Sequence, residues 1–210
     1  MAHKIIIVGI GPGSPRYMVP EALDTIKGAK VLVGSSRAME QYGNPEGQKQ
    51  FIIRADMAAV MEFIELHLPD NDVIVMVSGD PGYYSMLDAV RRSYSDECIK
   101  VIPGLSSMQV AFAKLGLPWH DADLISMHGR QPAPESLDFQ PGRVIGFLTD
   151  KNNNSKTIPK MLQERGWPDS SMLGICSRLS YDDEEIIKTT LGDAAMVEKT
   201  FYNCVLVVVA

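Results

Sequence analysis

The chain has 210 residues, 45% hydrophobic and 22% charged, an ordinary globular composition that suffices for one large domain or two modest ones. A net charge of −6 makes a broad nucleic-acid footprint or an anionic membrane surface a poor fit. Three cysteines, Cys98, Cys176 and Cys204, are odd in number, far apart and set in apolar runs, so they read as buried thiols of a reducing compartment with no disulfide framework.

The start, Met1-Ala2-His3-Lys4 followed by Ile5-Ile6-Ile7-Val8, is too short for a signal segment and reads as a buried parallel strand, which fits a cytoplasmic protein. It empties into Gly9-Ile10-Gly11-Pro12-Gly13. The spacing is GxGxG with a proline in a spacer position, so it departs from the dinucleotide fingerprint and keeps only a tight turn that allows close backbone approach. Pro20 opens a helix that Gly28 closes. A strand at 31–34, a helix capped by Ser35 or Ser36, a strand at 51–53 and a helix from Met57 to about Leu68 follow.

Residues 72–85, DVIVMVSGDPGYYS, organise the first half. Five apolar residues, 73–77, run into Ser78-Gly79-Asp80-Pro81-Gly82, and a helix is expected from Tyr84. A buried strand that empties into a glycine-rich turn is where an α/β protein places a ligand. Asp80 suits either a turn-former whose carboxylate caps local N–H groups or an acceptor for a bound ligand. A strand at 98–102 leads to Pro103-Gly104-Leu105-Ser106-Ser107, a second strand-to-helix turn in which Ser106 and Gln109 have capping-box spacing.

Gly116-Leu117-Pro118 is the expected boundary, giving units 1–116 and 117–210. Beyond it, strand runs at 124–127, 143–148, 172–176, 185–190 and 204–209 accompany one clear helix at 157–165, which predicts a mixed, partly antiparallel sheet in a smaller α+β domain. The acidic run 181–185 reads as a solvated hairpin loop, and 151–156, KNNNSK, as a flexible, solvated connection without a phosphate cradle. None of the four histidines has metal-ligand spacing to another histidine or a cysteine.

Taken together, GIGPG at 9–13, SGDPGYYS at 78–85 and IPGLSSMQVAFAKLGLPWHDADLISMHGR at 102–130 resemble the tetrapyrrole methylase family, the S-adenosylmethionine-dependent enzymes of corrin and siroheme synthesis. Three glycine motifs in this order span most of the chain, joined by the late SRLSYDDEEI run. Members carry a Leu-Thr pair shortly after the first glycine loop, where this chain has Tyr17-Met18-Val19-Pro20. The WHDADLISMHGR segment is most similar to members that methylate carbon 5 of a cobalt-precorrin or its metal-free precorrin analogue.

The resemblance implies two α/β domains, a parallel-sheet N-terminal one and a mixed-sheet C-terminal one, with S-adenosylmethionine folded in the cleft between them and S-adenosylhomocysteine as product. It places the cofactor against Gly79, Asp80 and Pro81, with Tyr83 nearby, and at Ser106 and Ser107, with apolar adenine contacts near Leu148 and Gly174. Gly11, Pro12 and Gly13 would line the macrocycle side. It also implies a homodimer and, elsewhere in the pathway, a separate C15-methylating decarboxylase, since the chain is too short to carry that further domain.

The residue chemistry is compatible. The cofactor's carboxylate needs N–H donors from glycine turns or Ser107, and its ammonium an acceptor such as Asp80 or a main-chain carbonyl. Methyl transfer to carbon requires alignment and exclusion of water more than a catalytic dyad. His128 and Arg130, just after a strand, suit proton transfer and carboxylate pairing, and Asp121 suits loop fixing or substrate contact. Arg16 and Arg37 are candidates for acetate or propionate groups. Competing readings are a methylase of the same family acting at another ring position or on a modified histidine, a dinucleotide oxidoreductase, and a noncatalytic corrinoid-binding protein.

Overall fold

The computed structural model describes residues 3–210. The chain forms two compact units, one extending to Ser106 and one running from Ser107 to Ala210. The first carries β1 (Ile5–Gly9), α1 (Pro20–Gly28), β2 (Val31–Gly34), α2 (Ser36–Tyr42), β3 (Lys49–Ile52), α3 (Met57–His67), β4 (Val73–Val77), α4 (Leu87–Ser93) and β5 (Ile99–Ile102). Its five strands are all parallel, in the order β3-β2-β4-β1-β5.

This order follows from the connections. The crossovers β1 to β2 and β2 to β3 carry the chain toward one edge, whereas β3 to β4 and β4 to β5 carry it back. Right-handed crossovers in opposite directions must lie on opposite faces. Accordingly, Ala22 and Ile26 of α1 and Ala38 and Met39 of α2 pack on Val8, Leu32, Ile74 and Met76. Val60 and Ile64 of α3 and Val90 of α4 pack on Ile5, Ile7, Val31, Val33, Val73 and Val75. The period-two alternation of side chains divides each strand between the two cores, so β4, in the middle, is buried at all five positions. The side chains of Ser35 and Asp56 cap α2 and α3 by accepting the N–H groups of Ala38 and Ala59.

The second unit holds α5 (Ser107–Leu115), β6 (Asp123–Ser126), β7 (Val144–Leu148), α6 (Thr157–Gln163), β8 (Met172–Ser177), β9 (Glu185–Thr190) and β10 (Val205–Val209). Its sheet runs β6-β7-β10-β8-β9, with β6 parallel to β7 and the other neighbours antiparallel. One face, carrying Ile145, Phe147, Leu173, Ile175, Leu206 and Val208, packs on Ile158 and Leu162 of α6. The other face takes α5. A Cβ on Gly146 would stand 2.5 Å from Met108 Sδ, and one on Gly174 2.6 Å from Leu115 Cδ1, so these two glycines make the room the helix needs.

That packing moves the expected boundary. α5 belongs to the second unit because its apolar stripe lies on the second sheet, so the division falls at residues 106/107 and not at Gly116-Leu117-Pro118. Three other expectations also change. The helix expected from Tyr84 begins only at Leu87, because Tyr84 takes a left-handed conformation, φ +49°, that no helix accommodates. Residues 151–156 form an ordered connection: Asn154 and Ser155 are buried, and Asn154 Oδ1 accepts the N–H groups of Lys156 and Thr157. In the acidic hairpin, Glu184 is tied inward, accepting Lys114 Nζ at 2.6 Å and the Ser180 N–H at 2.7 Å. Burial alone would raise the Glu184 carboxyl, but these bonds and the Lys114 charge outweigh it and hold it low.

The cysteines divide likewise. Cys176 and Cys204 are buried, whereas Cys98 lies in the 3-10 turn Asp96–Cys98, half-buried and outside any strand. Cys204 joins the α6-side core and Cys176, next to Ile175, faces the opposite side of the sheet. Burial pushes both thiols up from an ordinary 9.0, Cys176 to about 12 and Cys204 to about 11. Their folded pKa values are raised, so the stability they contribute is complete below pH 9 and is lost as pH climbs through the folded values. Unfolding free energies from denaturant titrations should therefore stay level up to about pH 9 and fall between pH 9 and 11 by up to about 1.4 kcal/mol per pH unit for each thiol, and the Cys176→Ala/Cys204→Ala variant should lose that component. In the folded protein a thiol reagent should label Cys98 first. Equal labelling of all three would contradict the burial.

Candidate functional site

β1 and β4 are adjacent, yet their crossovers depart in opposite directions, so their carboxyl ends are the topological switch point where an open α/β sheet leaves a crevice. The three glycine-bearing turns of the first unit meet there. Gly11 and Gly79, both left-handed at φ +75° and +71°, form an isolated antiparallel bridge in which Gly79 N–H donates to the Gly11 carbonyl at 2.8 Å. Gly104, after β5, closes on the same point. A Cβ at Gly104 would lie 2.3 Å from Gly79 O, and a Cβ at Gly9 would lie 2.6 Å from both Gly79 O and Gly104 N. The glycines thus let three backbones touch without intervening side chains.

Asp80 fastens this junction. Its Oδ1 accepts the Gly82 N–H at 2.8 Å, shaping its own turn, and its Oδ2 accepts the Gly104 N–H at 3.1 Å, tying the turn after β4 to the turn after β5. Both sequence readings of Asp80 therefore have substance, since an ionised carboxylate retains further lone pairs beyond the two in use. Pro81 is buried beside it, and Ser106 Cα would stand 3.6 Å from a Cβ on Gly79. Tyr83 is half-buried, edge-on to Tyr84 at 4.9 Å, and its hydroxyl is buried with no hydrogen-bond partner among the described residues. Burial, then the neighbouring Tyr84, raises the Tyr83 phenol, which therefore remains a neutral O–H donor lacking an acceptor. From α2, Arg37 donates to Ser78 Oγ at 3.1 Å, reaching the rim of the same turn.

Gly11 and Gly13 are buried, Pro12 is half-buried, and Arg16 is exposed on the 3-10 turn Pro15–Tyr17, which Ser14 Oγ caps. The structure therefore gathers Gly11, Gly79, Asp80, Pro81 and Ser106 about one point, with Tyr83 in the turn after β4 and Arg16 in the turn after β1.

In the second unit the carboxyl ends of β6 and β7 are interlocked. His128 Nδ1 lies 3.1 Å from the Thr149 carbonyl, which can only accept, so Nδ1 carries a hydrogen and Nε2 is left outside this contact. Asp150 accepts the N–H groups of Gly129, Asn152 and Asn153, and these bonds, led by Asn153 and Gly129, hold its carboxyl low. Thr149 in turn exchanges hydrogen bonds with the backbone of Cys204, so the loop bearing His128 and exposed Arg130 is braced on β7 and β10. Leu148 closes β7 at this end, half-buried.

Two candidates stand elsewhere. Asp121 precedes β6 whereas His128 follows it, so roughly 10 Å of strand separates them, and the exposed Asp121 side chain pairs with His120 Nε2 at 2.9 Å. Gly174 lies mid-strand beneath Leu115, a packing position. Ser107 begins α5. What the sequence reading missed is Gly9 and Gly104 as parts of the junction, the Arg37–Ser78 contact, and the Thr149–Asp150 brace. A glycine at the end of each of two apolar runs was the available signal for the first pair. Among the described residues no cluster of three His, Cys, Asp or Glu suits a metal, and no helix is long and apolar enough to cross a membrane.

Comparison with known proteins bears on this site. A family model described as tetrapyrrole (corrin/porphyrin) methylases matches residues 4–195. The cobalt-precorrin-7 C(5)-methyltransferase of Salmonella typhimurium is 30% identical over 182 residues, 87% of this chain and 88% of that protein. Among solved structures, the precorrin-6Y methylase of Archaeoglobus fulgidus shares the fold with a TM-score of 0.72 at 24% identity, over 99% of this chain and 97% of the other. A uroporphyrin-III C-methyltransferase of Thermus thermophilus, complexed with S-adenyl homocysteine, gives 0.74 at 18% identity, over 98% and 91%.

Proposed function

Because the chain belongs to the tetrapyrrole (corrin/porphyrin) methylase family, we propose that it transfers a methyl group from S-adenosylmethionine to carbon 5 of cobalt-precorrin-7 or its metal-free precorrin counterpart. The observation that carries the choice of position is the near end-to-end likeness to a C5 enzyme. Cobalt, where present, belongs to the substrate.

The glycine junction of the first unit fits such a cofactor. Glycine backbone free of Cβ atoms lets a ligand approach the turns closely, the remaining lone pairs of Asp80 suit an ammonium, and the unsatisfied Tyr83 hydroxyl is a donor awaiting an acceptor. When bound, S-adenosylmethionine supplies an electrophilic methyl on a sulfonium sulfur, which an electron-rich ring carbon can accept. The residues then have three tasks. Gly79, Asp80, Pro81 and Tyr83, with Ser106 and Ser107, hold and orient the cofactor. Gly11, Pro12, Gly13 and Arg16 meet the macrocycle. His128, with Nε2 as acceptor, takes a proton from the methylated ring, and Arg130 pairs with a ring carboxylate. Fixed orientation of the reacting atoms supplies most of the acceleration in this scheme.

The test is a methyl-transfer assay with labelled S-adenosylmethionine, cobalt-precorrin-7 and, in parallel, metal-free precorrin-6Y, reading product mass and the labelled carbon. Label at carbon 5 is expected. Label at another carbon, or cofactor binding without transfer to either macrocycle, would overturn the assignment and direct the search to another acceptor.

A further inference from the structure

Among the described residues, four that are not glycine hold a left-handed backbone: Tyr84, Arg178, Ser180 and Asn203. Tyr84 follows β4, at the carboxyl edge of the first sheet. Arg178 and Ser180 follow β8 and Asn203 precedes the antiparallel β10, so these three stand at the end of the second sheet that also carries His128 after β6. Within each unit the backbone cost is thus concentrated where the candidate site residues lie, as strain kept for the sake of a side chain would be.

Tyr84 is the sharpest case. Asparagine tolerates a left-handed conformation through local hydrogen bonds, whereas a bulky ring bears its full steric cost. The turn does contain a glycine, but Gly82 has no left-handed φ and serves instead to admit Asp80 Oδ1, which would stand 3.1 Å from a Cβ there. The strained position, two residues on, is given to a tyrosine. That tyrosine is 44% exposed, and no other Phe, Tyr or Trp of the first unit is exposed among the described residues. Its half-buried neighbour Tyr83 meets the ring at a centroid distance of 4.9 Å and 69°, so the displayed ring is held by packing as well as by its backbone.

A ring fixed and displayed next to a glycine-lined turn suits a ligand with a flat conjugated face. The methylase reading offers two such faces, the adenine and the macrocycle. In that reading the turn carrying Tyr84 holds the methionine end of the cofactor, so the face that arrives there is that of the group approaching the methyl. We propose that Tyr84 is a specificity-determining contact of the methyl acceptor, its ring lying against the flat face of the macrocycle and setting its affinity. The proposal rests on the methylase reading above and adds a residue to which that reading gives no task.

Tyr84→Asn removes the ring and suits the backbone, so it should hold the wild-type urea midpoint while raising the macrocycle KM in the methyl-transfer assay about tenfold. Tyr84→Phe keeps the ring and should stay within twofold of wild type, and S-adenosylmethionine Kd should stay within twofold in both. Leu66→Gln removes another exposed apolar side chain, from α3, and should change neither constant. Fluorescence titration with uroporphyrin, a flat macrocycle that requires no methyl transfer, separates the contact from the reaction: Tyr84→Asn should bind it about tenfold more weakly and Tyr84→Phe as wild type does. Wild-type uroporphyrin binding that depends on the ring, without methylation of a precorrin, would remove the reaction and leave the contact. Methylation at carbon 5 with a KM unmoved in Tyr84→Asn would remove the contact and leave the reaction. Weakened S-adenosylmethionine binding in Tyr84→Asn with uroporphyrin binding intact would assign the ring to the adenine, and a lowered urea midpoint with both affinities intact would make it a packing residue; either result overturns the proposal.

Discussion

Gly104→Ala should cost about 2–3 kcal/mol of stability and raise the Kd for S-adenosylmethionine at least a hundredfold, because an added methyl group there overpacks backbone rather than side chain. The new Cβ would sit 2.3 Å from the Gly79 carbonyl oxygen and 2.8 Å from Gly9 Cα, and neither atom is the end of a flexible chain. Relief requires the turns after β1, β4 and β5 to separate. That separation stretches the Asp80–Gly104 bond and the Gly11–Gly79 bridge, so the stability loss and the affinity loss share one cause. Urea denaturation and calorimetric titration with the cofactor measure the two effects independently. Gly116→Ala is the control: its φ of +72° brings a local penalty, but no atom lies within 4 Å of the added Cβ, so cofactor affinity should be unchanged. Equal cofactor affinity in wild type and Gly104→Ala would show that the junction is not where the cofactor binds.

The distribution of what could be read from the sequence has a physical basis. Runs such as 5–8, 73–77 and 205–209 are buried on both faces, and a continuous β-branched run has few other uses, so those strands were legible. Strand order was not, since it depends on which edge each crossover seeks. The glycine turns were visible as turns, but their convergence depends on the insertion of β4 between β2 and β1. For the same reason Gly104 read as an ordinary strand-to-helix glycine. Tyr84 read as helical because its neighbours Leu87 and Val90 have helical spacing, and only the left-handed backbone betrays the later start. α5 was assigned to the wrong unit because an amphipathic stripe announces that a helix is buried without saying against which sheet. Gly174 illustrates the converse: a glycine in a strand reads as close approach by a ligand or by a neighbour, and here the neighbour is Leu115. Asp121 and His128 looked close in sequence, yet a strand between them sets them at opposite ends of the sheet. Residues near the ends of one strand are the farthest apart in space that their separation permits.

Asp80 is where the two readings of a site residue can be separated. A carboxylate that contacts only the cofactor could be removed without affecting the fold, whereas one that bonds Gly82 and Gly104 cannot. In Asp80→Asn one oxygen can still accept the Gly82 N–H, but the amide NH2 then faces the Gly104 N–H, donor against donor, at an expected cost of about 1–3 kcal/mol. Asp80→Ala removes both acceptors and strands the Gly104 N–H, so it should be at least as destabilising. If the remaining carboxylate lone pairs also receive the cofactor's ammonium, Asp80→Asn should weaken S-adenosylmethionine binding well over tenfold while binding of sinefungin, whose charge is carried differently at the methyl position, weakens in parallel because the amino-acid end is shared. Urea midpoints and calorimetric titrations of both variants decide the matter. Unchanged midpoints would sink the latch. A full loss of stability with cofactor affinity intact in the folded fraction would leave Asp80 a turn-former alone, and the ammonium would then fall to main-chain carbonyls of the turns.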